Sequence, residues 1–233
     1  ADAWREGFRF KLNFSVKTPE FRKTIRLMIP KMFGHPIELA TFWGFTAIAS
    51  TLVPGSIAGI SFARNFQSVP VSLIGITIAT TSFPLLAGAV SSNETKKFWT
   101  TLKHSFLLIG VFSFLAAIII YFIREPLIRI LLGGGEFQAD DISRTAAVLG
   151  IFCFSIPTEA LIHLLARAFY ATKNTTIPVA VSILGIIVAV PGGFFLSQSY
   201  GLVALPFAFF LGSALELVIL AILLPRRLRK IEA

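Results

Sequence analysis

Residues 105–123 read SFLLIGVFSFLAAIIIYFI and contain no charged side chain. A run of about 18 or more apolar residues is long enough to cross the hydrocarbon core of a bilayer as a helix. The strands of outer-membrane barrels alternate apolar and polar residues, whereas this segment has three consecutive isoleucines at 118–120. The segment is therefore predicted to be a transmembrane α-helix.

Similar apolar segments flank this one on both sides. They lie at 27–52, 57–90, 145–169, 177–197 and 202–224. The segment 57–90 exceeds the length of one straight span, so we expect it to extend past the membrane surface or to contain a break. The six segments together predict an all-α, polytopic membrane protein with six transmembrane helices.

The overall composition agrees with a membrane protein. Of the 233 residues, 55% are hydrophobic and 14% are charged, and the mean hydropathy is +0.79. A soluble domain typically has about 25% charged residues. Intrinsically disordered chains are poor in aromatic residues, but this sequence contains 24 phenylalanines. Soluble and disordered classes are therefore excluded.

The basic residues are unevenly distributed around the apolar segments. If the N-terminus is cytoplasmic, the cytoplasmic connections carry fifteen Lys and Arg residues and the opposite ones carry three. Because Lys and Arg are enriched in cytoplasmic loops, both ends are predicted to be cytoplasmic. The chain then divides into a basic linker (1–26), a six-helix lobe (27–224) and a basic tail (225–233). The net charge is +9, but the basic residues flank the spans and do not form a nucleic-acid-binding face.

The sequence lacks the motifs of common enzymes and cofactor sites. The glycine-rich stretch 133–136 lacks the Lys and Ser/Thr of a phosphate-binding loop. The three histidines do not have the spacing of metal ligands, and the single cysteine, Cys153, lies in an apolar span. We therefore expect no enzymatic activity, no metal and no cofactor.

Ionisable side chains at membrane depth are costly, which makes each of them a candidate functional residue. Glu159, His163 and Arg167 follow one another at four-residue intervals, so they share one helix face. They form either an internally paired ladder or the wall of a wet cavity that binds an anionic headgroup. Glu38, Glu216 and His163 are candidates for coupling transport to protons.

Polar side chains also recur at three- and four-residue steps along the second span, beginning at Ser61. Arg64 lies too deep in this span to reach the membrane surface easily. Its guanidinium needs a partner, and bidentate pairing with a phosphate is a favoured one. The alternative is a purely structural pair with Glu38 or Glu216. The candidate substrate-binding residues are Ser61, Arg64, Asn65, Ser68, Glu159 and Arg167.

Three stretches, in chain order, resemble the MviN/MurJ family of lipid II flippases. The first comprises Pro54-Gly55-Ser56, Phe62-Ala63-Arg64-Asn65, Pro70, Ile78-Ala79-Thr80 and Phe83-Pro84. The second comprises Gly135-Glu136-Phe137 and Ala139-Asp140-Asp141. The third and most specific comprises Arg167-Ala168-Phe169-Tyr170-Ala171, Asn174 and Pro178. The residues Gly7-Phe8-Arg9-Phe10 and Pro19 also resemble the linker that precedes the seventh helix of this family.

The resemblance implies that the chain corresponds to helices seven to twelve, the C-terminal lobe of a two-lobed, fourteen-helix flippase. It implies an undecaprenyl-pyrophosphate-linked glycolipid as substrate. The protein would move this lipid across the bacterial plasma (inner) membrane by alternating access around a cationic cavity. The implied partners are this lipid, membrane lipids and the N-terminal lobe of the same protein, with no nucleic acid. Since Ala1 is not an initiator methionine, we expect the chain to be a fragment.

Two departures from the family pattern affect the site. The family usually has Arg at the position of Asn65, and Arg64 is displaced by one residue, about 100° around a helix. Some members bind a cation through Asp and Asn, but no Asp lies in any predicted span here. Coupling through the membrane potential, or through protons on Glu38, Glu159 or Glu216, remains possible. Two other functions stay open: export of another lipid-linked oligosaccharide, and a non-transporting membrane scaffold.

Overall fold

The computed structural model describes residues 39–134 and 137–232, the last four by their backbone alone, together with Phe21 and Ile25. The described elements are helical, which confirms the predicted all-α class. They are α1 (Leu39–Ala49), α2 (Ser56–Pro70), α3 (Thr77–Ser91), α4 (Thr95–Leu132), α5 (Ala139–Phe152), α6 (Ser155–Ala171), α7 (Thr176–Tyr200) and α8 (Ala204–Glu232).

Helices α2 and α3 form one continuous stretch of 36 residues, Ser56–Ser91. They are joined by a π-helical turn, Val71–Ile76, that directly follows Pro70. Proline has no backbone N–H to donate to the preceding turn, so it weakens the regular α-helical hydrogen-bond ladder there. The second predicted span is therefore one continuous helical stretch with a π-helical turn near its middle, and no break divides it.

Helix α4 is 38 residues long and extends ten residues before and nine residues beyond the apolar segment 105–123. At a rise of about 1.5 Å per residue it measures about 57 Å, which exceeds the ~30 Å hydrocarbon core. Parts of the predicted connections 91–104 and 124–144 are thus helical. They continue the transmembrane helix beyond the charge-free segment on both sides.

The predicted span 145–169 is divided into two helices, α5 and α6, which are bent by 44° at a short break. The break occupies Cys153 and Phe154, and Pro157 lies in the first turn of α6. A proline in the first turn of a helix is tolerated because its missing N–H would have no partner inside the helix. The bend places Ser155 and Glu159 just past the break.

Helices α7 and α8 form an antiparallel hairpin. The chain reverses at Gly201, which has a φ of 63°. A Cβ atom on Gly212 would lie 2.7 Å from the carbonyl oxygen of Gly185, so the two backbones nearly touch there. In a straight helix these two residues would be about 40 Å apart. The helical stretch Thr176–Leu228 is therefore not one span: its two antiparallel helices have 25 and 29 residues, and each is long enough to cross a bilayer.

The packing of the lobe suits a lipid environment. The two larger buried apolar clusters join the helices, one around Leu86, Phe98, Phe169 and Leu220, and one around Phe45, Leu149 and Leu205. Large apolar side chains of α4, such as Phe122 at 76% exposure, point outward. Ser56–Ser91, Thr95–Leu132, the bent pair α5–α6 and Thr176–Leu228 are apolar and long enough to cross a membrane.

The count of six spans stays a prediction because residues 27–38 of the first span lie outside the described residues. The division into linker, lobe and tail likewise stays a prediction. In the described part of the first span, α1 is a short apolar helix.

Candidate functional site

Arg64 on α2 and Glu159 on α6 form a two-pronged ion pair inside the lobe. Nη2 of Arg64 donates to Oε1 of Glu159 at 2.6 Å, and Nη1 donates to Oε2 at 2.7 Å. The two side chains are only 12% and 10% exposed. This parallel arrangement is the strongest hydrogen-bonding geometry available to a guanidinium and a carboxylate. The pair joins the second predicted span to the fourth.

Gln67, one turn after Arg64, completes the network. Its side-chain nitrogen donates to Oε2 of Glu159 at 2.7 Å and to the hydroxyl of Ser155 at 3.3 Å, while its side-chain oxygen accepts from Arg64. Gln67 is fully buried. Sequence analysis did not select it, although its position three residues after Arg64 places the two side chains on one helix face. The network ties α2 to the break between α5 and α6.

Two aromatic rings cover the Arg64 guanidinium. Its central carbon lies 4.6 Å from the ring centroid of Phe42 and 5.2 Å from that of Phe209. A cation over an aromatic face is attracted by the ring quadrupole, and the attraction increases when water is excluded. Arg64 is therefore held by an anion in its plane and by rings on its faces. Of the two interpretations of Arg64, the structural one gains support, because Glu159 pairs with it inside the lobe; Glu38 lies outside the described residues.

A chamber of about 400 Å³ lies next to this network, between α6, α7 and α8. Most of its wall is apolar, but several ionisable and hydroxyl side chains project into it. The polar lining residues are Thr41, Glu159, His163, Arg167, Tyr170, Ser182, Ser213 and Glu216. The face shared by Glu159, His163 and Arg167 thus lines this chamber. Glu159 is also paired with Arg64, so the structure shows features of both interpretations of that face.

Glu216 lies on the α8 wall of the chamber. The hydroxyl of Ser182 on α7 donates to its Oε1 at 2.5 Å. A Cβ atom added to Gly185 would lie 3.3 Å from its Oε2, so the carboxylate packs closely on the α7 backbone. One turn before Glu216, the hydroxyls of Ser213 and Thr158 are 3.0 Å apart and link α8 to α6. The carboxylate therefore bridges the two arms of the α7–α8 hairpin.

Arg167 lies at the opposite end of α6 from Glu159 and connects the chamber with α3. Its Nη1 donates to the carbonyl of His163 at 3.0 Å, and its Nη2 donates to the hydroxyl of Thr80 at 2.9 Å. Neither of these two bonds is to a carboxylate, and Glu159 is engaged by Arg64. Thr80 is itself exposed, so Arg167 reaches the outer face of α3.

Ser61, Asn65 and Ser68 lie on the outer face of α2. Both hydroxyls donate to carbonyls of the same helix, Ser61 to Ile57 at 2.7 Å and Ser68 to Asn65 at 2.8 Å. The side-chain amide of Asn65 is exposed, and it forms no hydrogen bond with the rest of the described chain. Arg64 and Asn65 are neighbours in sequence, but they point to different sides of the helix.

The predicted site residues therefore separate into two groups. Arg64, Glu159, His163 and Glu216 lie inside the lobe, whereas Ser61, Asn65 and Ser68 lie on its surface. Arg167 lines the chamber and also binds the exposed Thr80 on α3. Glu38, the third coupling candidate, lies outside the described residues. Within residues 39–134 and 137–232, no three His, Cys, Asp or Glu side chains are grouped so that they could hold a metal ion.

The comparisons by sequence agree on one family. The family model described as "Lipid II flippase MurJ" matches residues 3–233. The chain is 28% identical over 216 residues to a probable lipid II flippase MurJ of Bdellovibrio bacteriovorus, covering 93% of this chain and 41% of that protein. It is 23% identical over 213 residues to the lipid II flippase MurJ of Burkholderia cenocepacia, covering 91% and 41%.

Solved structures show the same fold. A lipid II flippase MurJ in an inward closed conformation superposes with a TM-score of 0.76 at 18% identity, covering 99% of this chain and 49% of that one. A MATE transporter from Vibrio cholerae superposes with a TM-score of 0.81 at 13% identity, covering 94% and 50%. The chain therefore spans about 41% of the length of these two curated relatives and about half of these transporters.

Proposed function

Because the chain belongs to the lipid II flippase MurJ family, we propose that it is the C-terminal lobe of a flippase that moves lipid II across the bacterial plasma membrane. In this proposal the N-terminal lobe of the same protein is its partner, and the two lobes alternate between inward-open and outward-open states. The substrate is an undecaprenyl-pyrophosphate-linked glycolipid. The lobe supplies one wall of the transport path and performs no catalysis.

The distribution of charge supports an orientation with both ends in the cytoplasm. At one end of the bundle the described charged residues are Glu94, Lys96, Lys97, Lys103, Lys173, Arg226 and Arg227. At the other end they are Arg124, Glu125, Arg129, Asp140, Asp141 and Arg144. The first end is strongly basic and the second is balanced. Basic residues accumulate on the cytoplasmic side, so the first end is assigned there.

The exposed side-chain amide of Asn65 is the observation on which the proposed transport path depends. It lies about 14 Å along α2 from Ser56, at a rise of about 1.5 Å per residue, which is near the middle of the bilayer. An amide without a hydrogen-bond partner is costly in hydrocarbon. The face that carries Ser61, Asn65 and Ser68 is therefore proposed to border a polar path or the second lobe, where the sugar headgroup supplies hydrogen-bonding partners.

Arg167 is proposed to contact the diphosphate. Its guanidinium is bound to a hydroxyl and a carbonyl, both neutral, so a phosphate would be its first anionic partner among these contacts. Arg64 is proposed to act as a positioning residue, because Glu159 already occupies its bidentate edge. This assignment differs from the sequence-based expectation that Arg64 itself binds phosphate.

The chamber is proposed to house the coupling group. Glu216 is the candidate with the best support, since its carboxylate bridges α7 and α8, and a change in its charge would alter the contact between them. His163 lines the same chamber. Glu38 remains a further candidate on the sequence alone.

Complementation of a bacterial strain depleted of its flippase tests the proposal in the full-length protein. Asn65→Leu replaces the amide by an apolar group of similar size and is expected to abolish growth, while Leu73→Ala in the π-helical turn after α2 is expected to be tolerated. Arg167→Ala is expected to weaken lipid II binding by about tenfold to a hundredfold, the value of one or two hydrogen bonds to a charged group. Arg129→Ala at the other end of the bundle serves as the control.

The outcomes separate the three functions. A normal phenotype for Asn65→Leu would show that this face is not the transport path. Unchanged lipid II binding by both Arg64→Ala and Arg167→Ala would favour the scaffold. If the unmodified full-length gene is well expressed but fails to support growth, export of another lipid-linked oligosaccharide becomes the better explanation.

A further inference from the structure

Arg227, near the end of α8, uses only part of its hydrogen-bonding capacity. Its Nη2 donates to the carbonyl oxygen of Thr172 at 3.5 Å, the upper limit for such a bond. Its Nε is buried, and none of the described residues accepts a hydrogen bond from it. Buried polar groups normally have a partner, and each exception requires an explanation.

The surrounding packing fixes the position of this side chain. Leu224 and Leu228, on either side of Arg227, are buried in the same cluster as Phe98 of α4 and Ala171 of α6. Arg227 therefore lies where the start of α4 and the end of α6 meet α8. The C-terminal end of a helix attracts a cation, which explains the contact with Thr172 but leaves Nε unused.

Arg227 lies at the depth of the lipid headgroups. Between Ala204, where α8 begins, and Arg227 the helix rises about 35 Å, slightly more than the ~30 Å hydrocarbon core. Trp99 packs on the same apolar cluster, and tryptophan is enriched at the boundary between membrane and water. With Ala204 at one surface of the hydrocarbon core, this length carries the guanidinium to the phosphate groups of the opposite leaflet.

The charges around Arg227 are almost all positive. Lys173 follows Thr172 directly, Arg226 precedes Arg227, and Lys96 lies at the start of α4; all three are exposed. Glu94 is the one carboxylate described at this end, and it pairs with Lys97 at 3.0 Å. A basic surface next to the cytoplasmic leaflet attracts anionic lipids.

We propose that Arg227 is the centre of a binding site for the phosphate of an anionic phospholipid in the cytoplasmic leaflet. Lys173 and Arg226 supply further positive charge. The guanidinium offers two adjacent donors in the geometry that a phosphate accepts. Because Nε is covered, the guanidinium has to turn for the phosphate to reach this donor. The site is separate from the chamber, whose lining does not include Arg227, and it does not depend on which substrate is transported.

The test is lipid binding by the purified full-length protein, measured by native mass spectrometry with phosphatidylglycerol and with phosphatidylcholine. Arg227→Gln is expected to lower the affinity for phosphatidylglycerol by about tenfold, with little effect on phosphatidylcholine. Arg227→Lys keeps the charge but lacks the paired donors. Its affinity for phosphatidylglycerol is expected to lie between those of Arg227→Gln and the unmodified protein. Arg129→Gln makes the same charge change at the opposite end and is expected to bind like the unmodified protein.

Competition with inorganic phosphate identifies the source of the ligand. The proposal expects a weak effect of phosphate on bound phosphatidylglycerol, because the acyl chains also hold the lipid. Complete displacement, dependent on Arg227, would identify a site for soluble anions and overturn the lipid assignment. Equal binding of phosphatidylglycerol by Arg227→Gln and the unmodified protein, at unchanged melting temperature, would also overturn it. If Arg227→Gln lowers the melting temperature, the Arg227→Lys variant becomes the test. Unchanged affinity of Arg227→Lys for phosphatidylglycerol would exclude a site that depends on the paired donors.

Discussion

Arg64 and Glu159 form the most enclosed of the described ion pairs. Their side chains are 12% and 10% exposed, whereas Arg129 and Glu125 are 65% and 57% exposed. Removing one partner of a buried pair leaves the other charge uncompensated, which costs far more than breaking a surface pair. At the residue scale, the stability of the lobe therefore depends more on this pair than on the other described pairs.

We predict that Arg64→Ala lowers the free energy of unfolding of the full-length protein by about 3–5 kcal/mol, because Glu159 is left buried and unpaired. Arg129→Ala, the control, is expected to cost less than about 1 kcal/mol. Replacing both partners, Arg64→Met with Glu159→Leu, is expected to recover most of the loss. Denaturant titration in detergent measures all three, and a double variant as unstable as Arg64→Ala would contradict the explanation.

Glu216→Gln tests the coupling role at the same scale. Glutamine retains an oxygen that accepts from Ser182, so we expect the variant to fold with an almost unchanged melting temperature. It cannot exchange a proton in the physiological range, so the dependence of transport on pH is expected to flatten. Transport in proteoliposomes over a range of pH values is the measurement, with Ser213→Ala, which changes the same wall without a charge, as the control. An unchanged profile would make Glu216 structural.

At the element scale, the π-helical turn of the α2–α3 stretch lies against α6, and one glycine, Gly75, allows this close approach. A Cβ atom on Gly75 would lie 2.7 Å from Cα of Ala160, closer than real side chains approach. Glycine at this position lets two helix backbones come together, as small residues do in membrane helix pairs. The contact fixes the position of Thr80 and the outer face of α3 relative to Arg167.

We predict that Gly75→Ala destabilises the lobe by about 1–3 kcal/mol, because the added methyl group forces α2–α3 away from α6. Gly88→Ala is the matched control, since a Cβ there meets no atom within 4 Å. Alanine favours a helix over glycine, so the control is expected to be neutral or slightly stabilising. Thermal unfolding of both variants is the measurement. Similar melting temperatures would contradict the prediction, because they would show that the two helices can shift to accommodate the methyl group.

At the scale of the whole molecule, the proposed orientation can be tested with single cysteines. In a cysteine-free version of the full-length protein, Ser143→Cys on α5 is expected to react with a membrane-impermeant maleimide added to intact cells. Lys96→Cys at the start of α4 is expected to react only after the membrane is permeabilised. Both positions are exposed, so access to water differs between them only through the membrane. The reverse pattern would invert the proposed topology.

The fold class followed from the sequence because apolar runs of this length have few stable arrangements other than membrane helices. The sequence also located the polar face of α2 and the shared face of Glu159, His163 and Arg167. It did not locate the ends of α4, whose charged extensions resemble loops in composition. It also did not locate the break at Cys153 and Phe154, which lies inside an apolar run and carries no glycine or proline.

The partner of Arg64 illustrates what the sequence predicted and what only the tertiary structure decided. Local spacing shows which side chains share a helix face, and it indicated that a guanidinium at this depth needs a partner. Glu159 lies 95 residues further along the chain, and its selection over Glu216 depends on how α2 packs against the bend between α5 and α6. The sequence by itself determined the all-α class and which side chains share a helix face, because these depend on local periodicity and solvation. Only the tertiary structure decided which faces meet, because that depends on contacts between residues far apart in the chain.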